Sequence, residues 1–200
     1  MRLIVTYTDN INHKVQNKRV KAIIRPTKTA IGIKKTAEFV KEHCQKFYEN
    51  IEQAKIIICG DSATWIRTLA KYLGAYYVFD KYHGLKYLWT AYKPNSGKRK
   101  LIINKEKYNN YKIAKDYFCN GNYDELIKFL IKTKVNKETL RIFKNNKQGI
   151  ENQGAKWNIG TFAESNIWYI LKEMLGNRTY SIDIYIKMVI FKCNKINLET

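Results

Sequence analysis

The chain has 200 residues, about the length of one domain, and 45% of them are hydrophobic, enough to build a core and to exclude a disordered chain. No apolar run approaches the ~20 residues that a membrane helix needs, and Met1-Arg2-Leu3-Ile4-Val5-Thr6-Tyr7 is too short and too polar for a signal peptide. The formal net charge is +20, which favours a polyanionic partner, most simply nucleic acid. Lys, Asn, Ile and Tyr are all abundant and all have A/T-rich codons, so a low-GC genome with solubility as the only benefit is the competing account of that charge.

Residues 2–8 alternate apolar and polar and predict a strand that begins almost at the first residue; Asp9-Asn10 predicts a turn. Arg19 to Arg25 alternates again and stops at Pro26, which gives a hairpin with a polar loop. From Ile33 to Ala54, Phe39, Val40, Cys44, Phe47 and Ile51 recur at helical spacing and predict one amphipathic helix.

Ile56-Ile57-Ile58-Cys59 reads as a buried strand, ended by Gly60-Asp61. A helix from about Ala63 to Leu73 follows, with Trp65, Ile66, Leu69 and Leu73 as its buried face and Gly74 as its stop. Residues 75–79 predict a further strand ending at Asp80, which neighbours the Asp61 strand, with His83 on the next turn. From Leu85 to Gly149 the pattern is helical and basic, with helices over 105–118, 122–133 and 136–146. A Gln/Asn/Gly-rich segment, 148–160, leads to a helix over Phe162–Leu175, and Ile184–Phe191 reads as helix or strand.

This order predicts an α/β fold interrupted by an all-helical insertion. The expected parts are a first core segment over 1–84, a basic insertion over 85–149 and a last core segment over 150–200. Cys44, Cys59, Cys119 and Cys193 form no CxxC pair and have no histidine at ligand spacing, so a zinc site or a disulfide framework is not expected. They read as buried thiols in a reducing cytoplasm.

An aspartate at the carboxyl end of a buried strand sits where α/β folds place their chemistry. Asp61 fits a Mg²⁺ ligand in a phosphoryl-transfer site, where carboxylates converge on the metal ions; it fits equally a cap of the helix that follows. Glu164 has the same ambiguity. Thr161-Phe162-Ala163-Glu164 fits a capping box, whereas Ile167, Trp168 and Leu171 place Glu164 beside a buried stripe, where an acid needs a partner or a metal. Asp80 and His83 read as an accessory acid and a base or phosphate contact, or as a turn aspartate and a surface histidine. In the insertion, Lys98, Arg99, Lys100, Lys105, Lys107 and Lys112 interleave with Tyr87, Trp89, Tyr92, Tyr108 and Tyr111. Cations there grip phosphates and aromatics stack on unpaired bases, or the pattern is a solvated helical face with tyrosines in the core.

Three blocks in order, GDSATWI, FDKYHGLKYLW and NQGAKWNIGTFAESNIWYILKEMLGNR, resemble the catalytic region of bacterial insertion-sequence transposases of the Lre group, related to Mutator-type transposases of the DDE class. The resemblance runs from the first strand to about Phe191. It implies an RNase H-like mixed sheet flanked by helices, with a helical insertion before the last catalytic helix, and Mg²⁺ (or Mn²⁺) held by three acids acting on DNA phosphodiesters. It makes Asp61 the second acid and Glu164 the third, both metal ligands. Asp80 and His83 match the Asp-x-Phe-His block, with Tyr82 in the aromatic position, Asp80 as a further ligand and His83 catalytic. It adds Arg178, which follows the Glu164 helix, to the nucleic-acid contacts, and DNA and a homo-oligomer of the full-length parent as partners.

The chain departs from the family at Ser62, where the third residue of Gly-Asp-Gly-Ala is usual, and in having no acid in the first place of the triad. Asp9 follows the first strand and is not at the matching position. The expectation is an N-terminally truncated transposase, cytoplasmic and inactive alone. A nucleic-acid-binding protein without catalysis, or a functionless remnant, is the alternative.

Overall fold

The computed structural model describes residues 1–12, 14–24, 32–94, 104–160, 168–173 and 178–199. These form a mixed α/β chain, mostly helical, with small sheets. It divides into two compact units. One comprises Met1–Lys55, Lys71–Leu73 and Phe162–Thr200; the other comprises Ile56–Ala70 and Gly74–Thr161.

In the first unit, β1 (Arg2–Thr6) pairs antiparallel with β4 (Arg19–Ile23), Arg2 opposite Ile23 and Thr6 opposite Arg19. The ribbon continues as β2 (Asp9–Ile11) against β3 (Lys14–Gln16). Asp9-Asn10 is therefore strand rather than turn. The chain reverses further on, where Asn12 takes a left-handed φ of 49°, a region that asparagine tolerates better than most residues.

Helix α1 (Ile33–Phe47) ends well before the expected Ala54. Tyr48 is extended, and its hydroxyl lies 2.9 Å from Thr6 Oγ1 and donates to the Asn17 carbonyl at 2.8 Å. The chain leaves the helix there and makes a separate 3-10 turn at Ile51–Gln53. The side chains that α1 buries are Thr36, Ala37, Val40 and His43, a three-and-four spacing.

The tail is a helix, α8 (Ile182–Glu199) once the second unit's helices are counted in chain order. It buries Val189, Cys193 and Ile196 against Val20 and Ile170. Asn197 completes β4: its Oδ1 accepts from Val20 N at 2.8 Å, and its Nδ2 donates to Val20 O at 2.9 Å. Both main-chain groups of an edge residue are thus satisfied by one side-chain amide, which blunts a strand edge that would otherwise stay open. Among the described residues, no helix is long and apolar enough to cross a membrane.

The second unit is built on β5 (Ile57–Gly60), α2 (Thr64–Leu73, its last three residues counted with the first unit) and β6 (Tyr76–Phe79), a parallel pair joined through a helix. Then follow α3 (Lys81–Tyr92), α4 (Lys105–Cys119), α5 (Tyr123–Lys132), α6 (Lys137–Lys144) and α7 (Lys147–Glu151). Asn104 and Asn136 accept from the main-chain N–H of Lys107 and Thr139 and cap α4 and α6, so the expected boundaries of the three middle helices hold within two residues. Trp65, expected on the buried face of α2, is 37% exposed, whereas Leu69 and Leu73 are buried.

The helices over 85–149 share their core with the strands. Phe79 of β6, Phe118 of α4 and Phe143 of α6 are all fully buried and meet with centroids 5.8–5.9 Å apart and rings tilted by 67–89°. Edge-to-face geometry of this kind adds about 0.5–1.5 kcal/mol per pair beyond the burial itself. The segment expected as an insertion thus belongs to the same packed unit as the Asp61 and Asp80 strands.

Candidate functional site

β5 and β6 run parallel and in register, Gly60 opposite Phe79, so both strands end together. The next residues are Asp61 and Asp80, and Asp80 N donates to Gly60 O at 2.7 Å. Neighbouring strands lie about 4.8 Å apart, so the two acids leave the sheet side by side. Gly60 is required by close approach: a Cβ there would meet the Ile66 side chain at 2.5 Å.

Asp61 is half-buried, and its Oδ1 accepts from Ala63 N at 2.8 Å, an Asx turn just before α2. Asp80 is 3% exposed and caps α3. Its Oδ2 takes two bonds from one residue, the His83 N–H at 3.0 Å and His83 Nδ1 at 2.7 Å. Its Oδ1 faces Cys59 Sγ at 4.0 Å. Helix α3 therefore starts at Lys81, earlier than Leu85, and His83 stands in its first turn with its ring fixed by the capping acid.

A buried polar network that sequence reasoning missed holds the loop after β5. Asn146, 1% exposed, uses its Oδ1 to accept from the Tyr77 hydroxyl at 2.9 Å and from Arg67 Nη1 at 3.0 Å, and its Nδ2 donates to Ile142 O at 2.7 Å. Tyr77 also faces Asp61 O at 2.8 Å, and Arg67 Nη1 reaches Ser62 O at 2.9 Å. Burial above all, then the charges of Cys59 and Asp61, pushes the Tyr77 hydroxyl pKa up, which keeps it a donor. Asp61 is thus gripped through its own carbonyl and through the next residue's. Asn146 lies in the polar run Lys144-Asn145-Asn146-Lys147-Gln148 between α6 and α7, where nothing in the sequence sets it apart.

The Gln/Asn/Gly-rich segment has a structural role beside the site. Asn152 Nδ2 donates to Tyr77 O at 2.7 Å, and the Gln153 side-chain amide donates to Phe79 O. These amides satisfy β6 carbonyls on an edge with no further strand among the described residues.

Other expectations fare differently. Glu164, Lys98, Arg99 and Lys100 lie outside the described residues, as does Thr161 of the capping box. Trp168–Lys172 is a π turn, closed by Glu173 N to Trp168 O at 2.8 Å. Its wider turn shifts the helical phase: Trp168 is 55% exposed and Ile170 is fully buried, which overturns the buried stripe drawn through Trp168. Lys105, Lys107, Lys112 and Arg178 are exposed. The aromatics between the lysines mostly serve packing. Tyr92 is buried and bonded to Thr133 Oγ1 at 2.8 Å, Tyr87 packs near Phe79, and Trp89 meets Tyr111 edge-on at 5.0 Å. Tyr87, Trp89 and Tyr111 are half-buried, and Tyr108, 36% exposed, is the most exposed of the five. Cys193 is buried, whereas Cys44, Cys59 and Cys119 are half-buried.

Among the described residues, no three His, Cys, Asp or Glu side chains are grouped to hold a metal ion. Two-metal phosphoryl transfer draws on several converging carboxylates. Here Asp61 gives one oxygen to its turn, and both Asp80 oxygens face protein groups. Comparison of the chain with protein-family models, curated proteins and solved structures gave no match.

Proposed function

We propose that the chain is a nucleic-acid-binding, transposase-derived protein of the RNase H-like DDE class, whose parent chemistry is Mg²⁺- or Mn²⁺-dependent cleavage and joining of DNA strands, and that by itself it binds DNA without cutting it. The observation that carries this reading is the in-register ending of β5 and β6 on Asp61 and Asp80, with His83 oriented by Asp80. That is the position at which open α/β sheets place their functional groups. The net charge of +20 supplies attraction for a phosphate backbone.

In such chemistry a bound Mg²⁺ stabilises the attacking and leaving oxygens at phosphorus. Asp61 and Glu164 are its proposed ligands, and Asp80 serves to aim His83. Absence of cutting is expected because no acid of the chain fills the first place of the triad that the resemblance implies.

The test is a supercoiled plasmid with Mg²⁺ or Mn²⁺, beside binding to a labelled duplex over a salt series. Binding that falls steeply with salt, without nicking, is expected. Nicking that Asp61→Asn and Glu164→Gln abolish would show that the chain is a working enzyme. Negligible binding at low salt would remove nucleic acid from the account altogether.

A further inference from the structure

Tyr82 is 54% exposed on the first turn of α3, next to His83 and four residues before Lys86. Its ring meets the His83 ring edge-on, with centroids 5.4 Å apart and planes at 88°. Lys86 Nζ lies 5.9 Å from the Tyr82 centroid, the contact expected of an i, i+4 pair on one helix face. Lys81 is the residue before Tyr82, in the same first turn of α3. Lys81 and Lys115 both act on the Cys119 thiol, where Asp116 is the acid that opposes them; burial, the largest cause, pushes that thiol pKa up. Lys81, Lys86 and Lys115 are exposed, whereas Asp80 is buried, so the surface is net positive.

The five aromatics of the basic helices mostly fill the core, and Tyr82 is not among them. Among the described residues it is absent from the buried core cluster and from the hydrophobic residues packed against it. An exposed ring with a lysine over it, set beside a strand-end acid–histidine pair, has the composition of a base-stacking platform.

We infer that Tyr82 is a stacking platform for an unpaired base of single-stranded nucleic acid, with Lys86 and Lys81 on the flanking phosphates, which places a strand next to Asp80 and His83. A duplex hides its base faces, so the platform selects single strands or frayed ends. The inference rests on the nucleic-acid reading above and adds the form of nucleic acid and the residue that senses it.

The experiment uses the full chain and fluorescein-labelled 12-nucleotide probes at low salt, read by anisotropy. One probe is an ordinary single strand, and the other is the same length without bases. Wild type should prefer the ordinary strand by about tenfold, as one stacked base implies. Tyr82→Ala should erase most of that preference, while Tyr82→Phe, which keeps the ring, should retain it. Circular dichroism and the melting temperature verify that both variants are folded, as expected for an exposed position. The same preference in Tyr82→Ala as in wild type, or none in wild type, overturns the platform and leaves nucleic-acid binding standing. No wild-type binding to either probe overturns the platform as well, and the duplex titration above then decides whether nucleic-acid binding stands.

Discussion

Asp80 and His83 are joined twice: one carboxylate oxygen accepts both the main-chain N–H at 3.0 Å and ring Nδ1 at 2.7 Å. A single side chain therefore starts helix α3 and fixes an imidazole at the strand ends. Replacing Asp80 with alanine should cost about 1–2 kcal/mol from the lost cap. Asp80→Asn keeps an acceptor for the His83 N–H and should cost less. Urea unfolding of the two variants gives the comparison, and equal losses would mean that the charge rather than the cap matters.

Asn146 is the shared acceptor for Tyr77 and Arg67. Asn146→Ala leaves Tyr77 and Arg67 only the carbonyls of Asp61 and Ser62, deprives Ile142 O of its donor and opens a buried void, and should destabilise by about 1–3 kcal/mol. Tyr77→Phe removes one donor and leaves Arg67 to satisfy Asn146, so it should cost only about 1 kcal/mol. Hydrogen exchange at Ala63, whose N–H bonds Asp61, should quicken in Asn146→Ala before global unfolding does. Unchanged exchange there would separate the network from the Asp61 loop.

Gly149 of α7 lies against β6: a Cβ would sit 2.5 Å from Tyr77 Cε1 and 2.8 Å from the main-chain N of Phe79. The Tyr77 ring can shift, but the strand backbone cannot without disturbing its pairing with β5. Gly149→Ala should therefore cost about 1–3 kcal/mol through overpacking. A melting temperature equal to that of wild type would show that α7 moves aside freely.

His43 is 4% exposed, and burial foremost, then the charges of Lys21 and Lys46, pulls its pKa down to about 4; Arg19 adds a charge of the same sign while its carbonyl acts in the opposite direction. Thr6 Oγ1 lies 3.3 Å from its Nε2, and Tyr48 and Phe47 complete its surroundings. The unfolded chain takes up a proton near 6.5, whereas the folded one resists until about 4. Stability is then full above pH 6.5 and falls as pH drops from 6.5 to 4, by up to about 3 kcal/mol. Urea midpoints over that range should show the loss, and His43→Phe should flatten it. An equal slope in both proteins would place the titration elsewhere.

Much of this architecture was legible in residue order. Period-two alternation gave β1 and β4, the apolar run before Gly60-Asp61 gave β5, and the helical, basic pattern after Leu85 gave α4, α5 and α6. These signals are local: each depends on side chains within a few residues of one another. Even the adjacency of Asp61 and Asp80 was expected, because a strand–helix–strand run this short leaves few other pairings.

What tertiary structure alone decided depends on distant partners. Phe79, Phe118 and Phe143 joined the helical segment to the strand core, so a stretch that reads as an insertion is part of one unit. The tyrosines between the lysines mostly packed against the helices, which left Tyr82 as an exposed ring beside the acids. Asn146, Asn152 and Asn197 acquired their roles only when folding brought them against an arginine, a strand edge and a valine backbone. An amide side chain looks the same in sequence whether it faces water or closes a sheet. The partner decides, and in these three cases the partner lies 75 or more residues away.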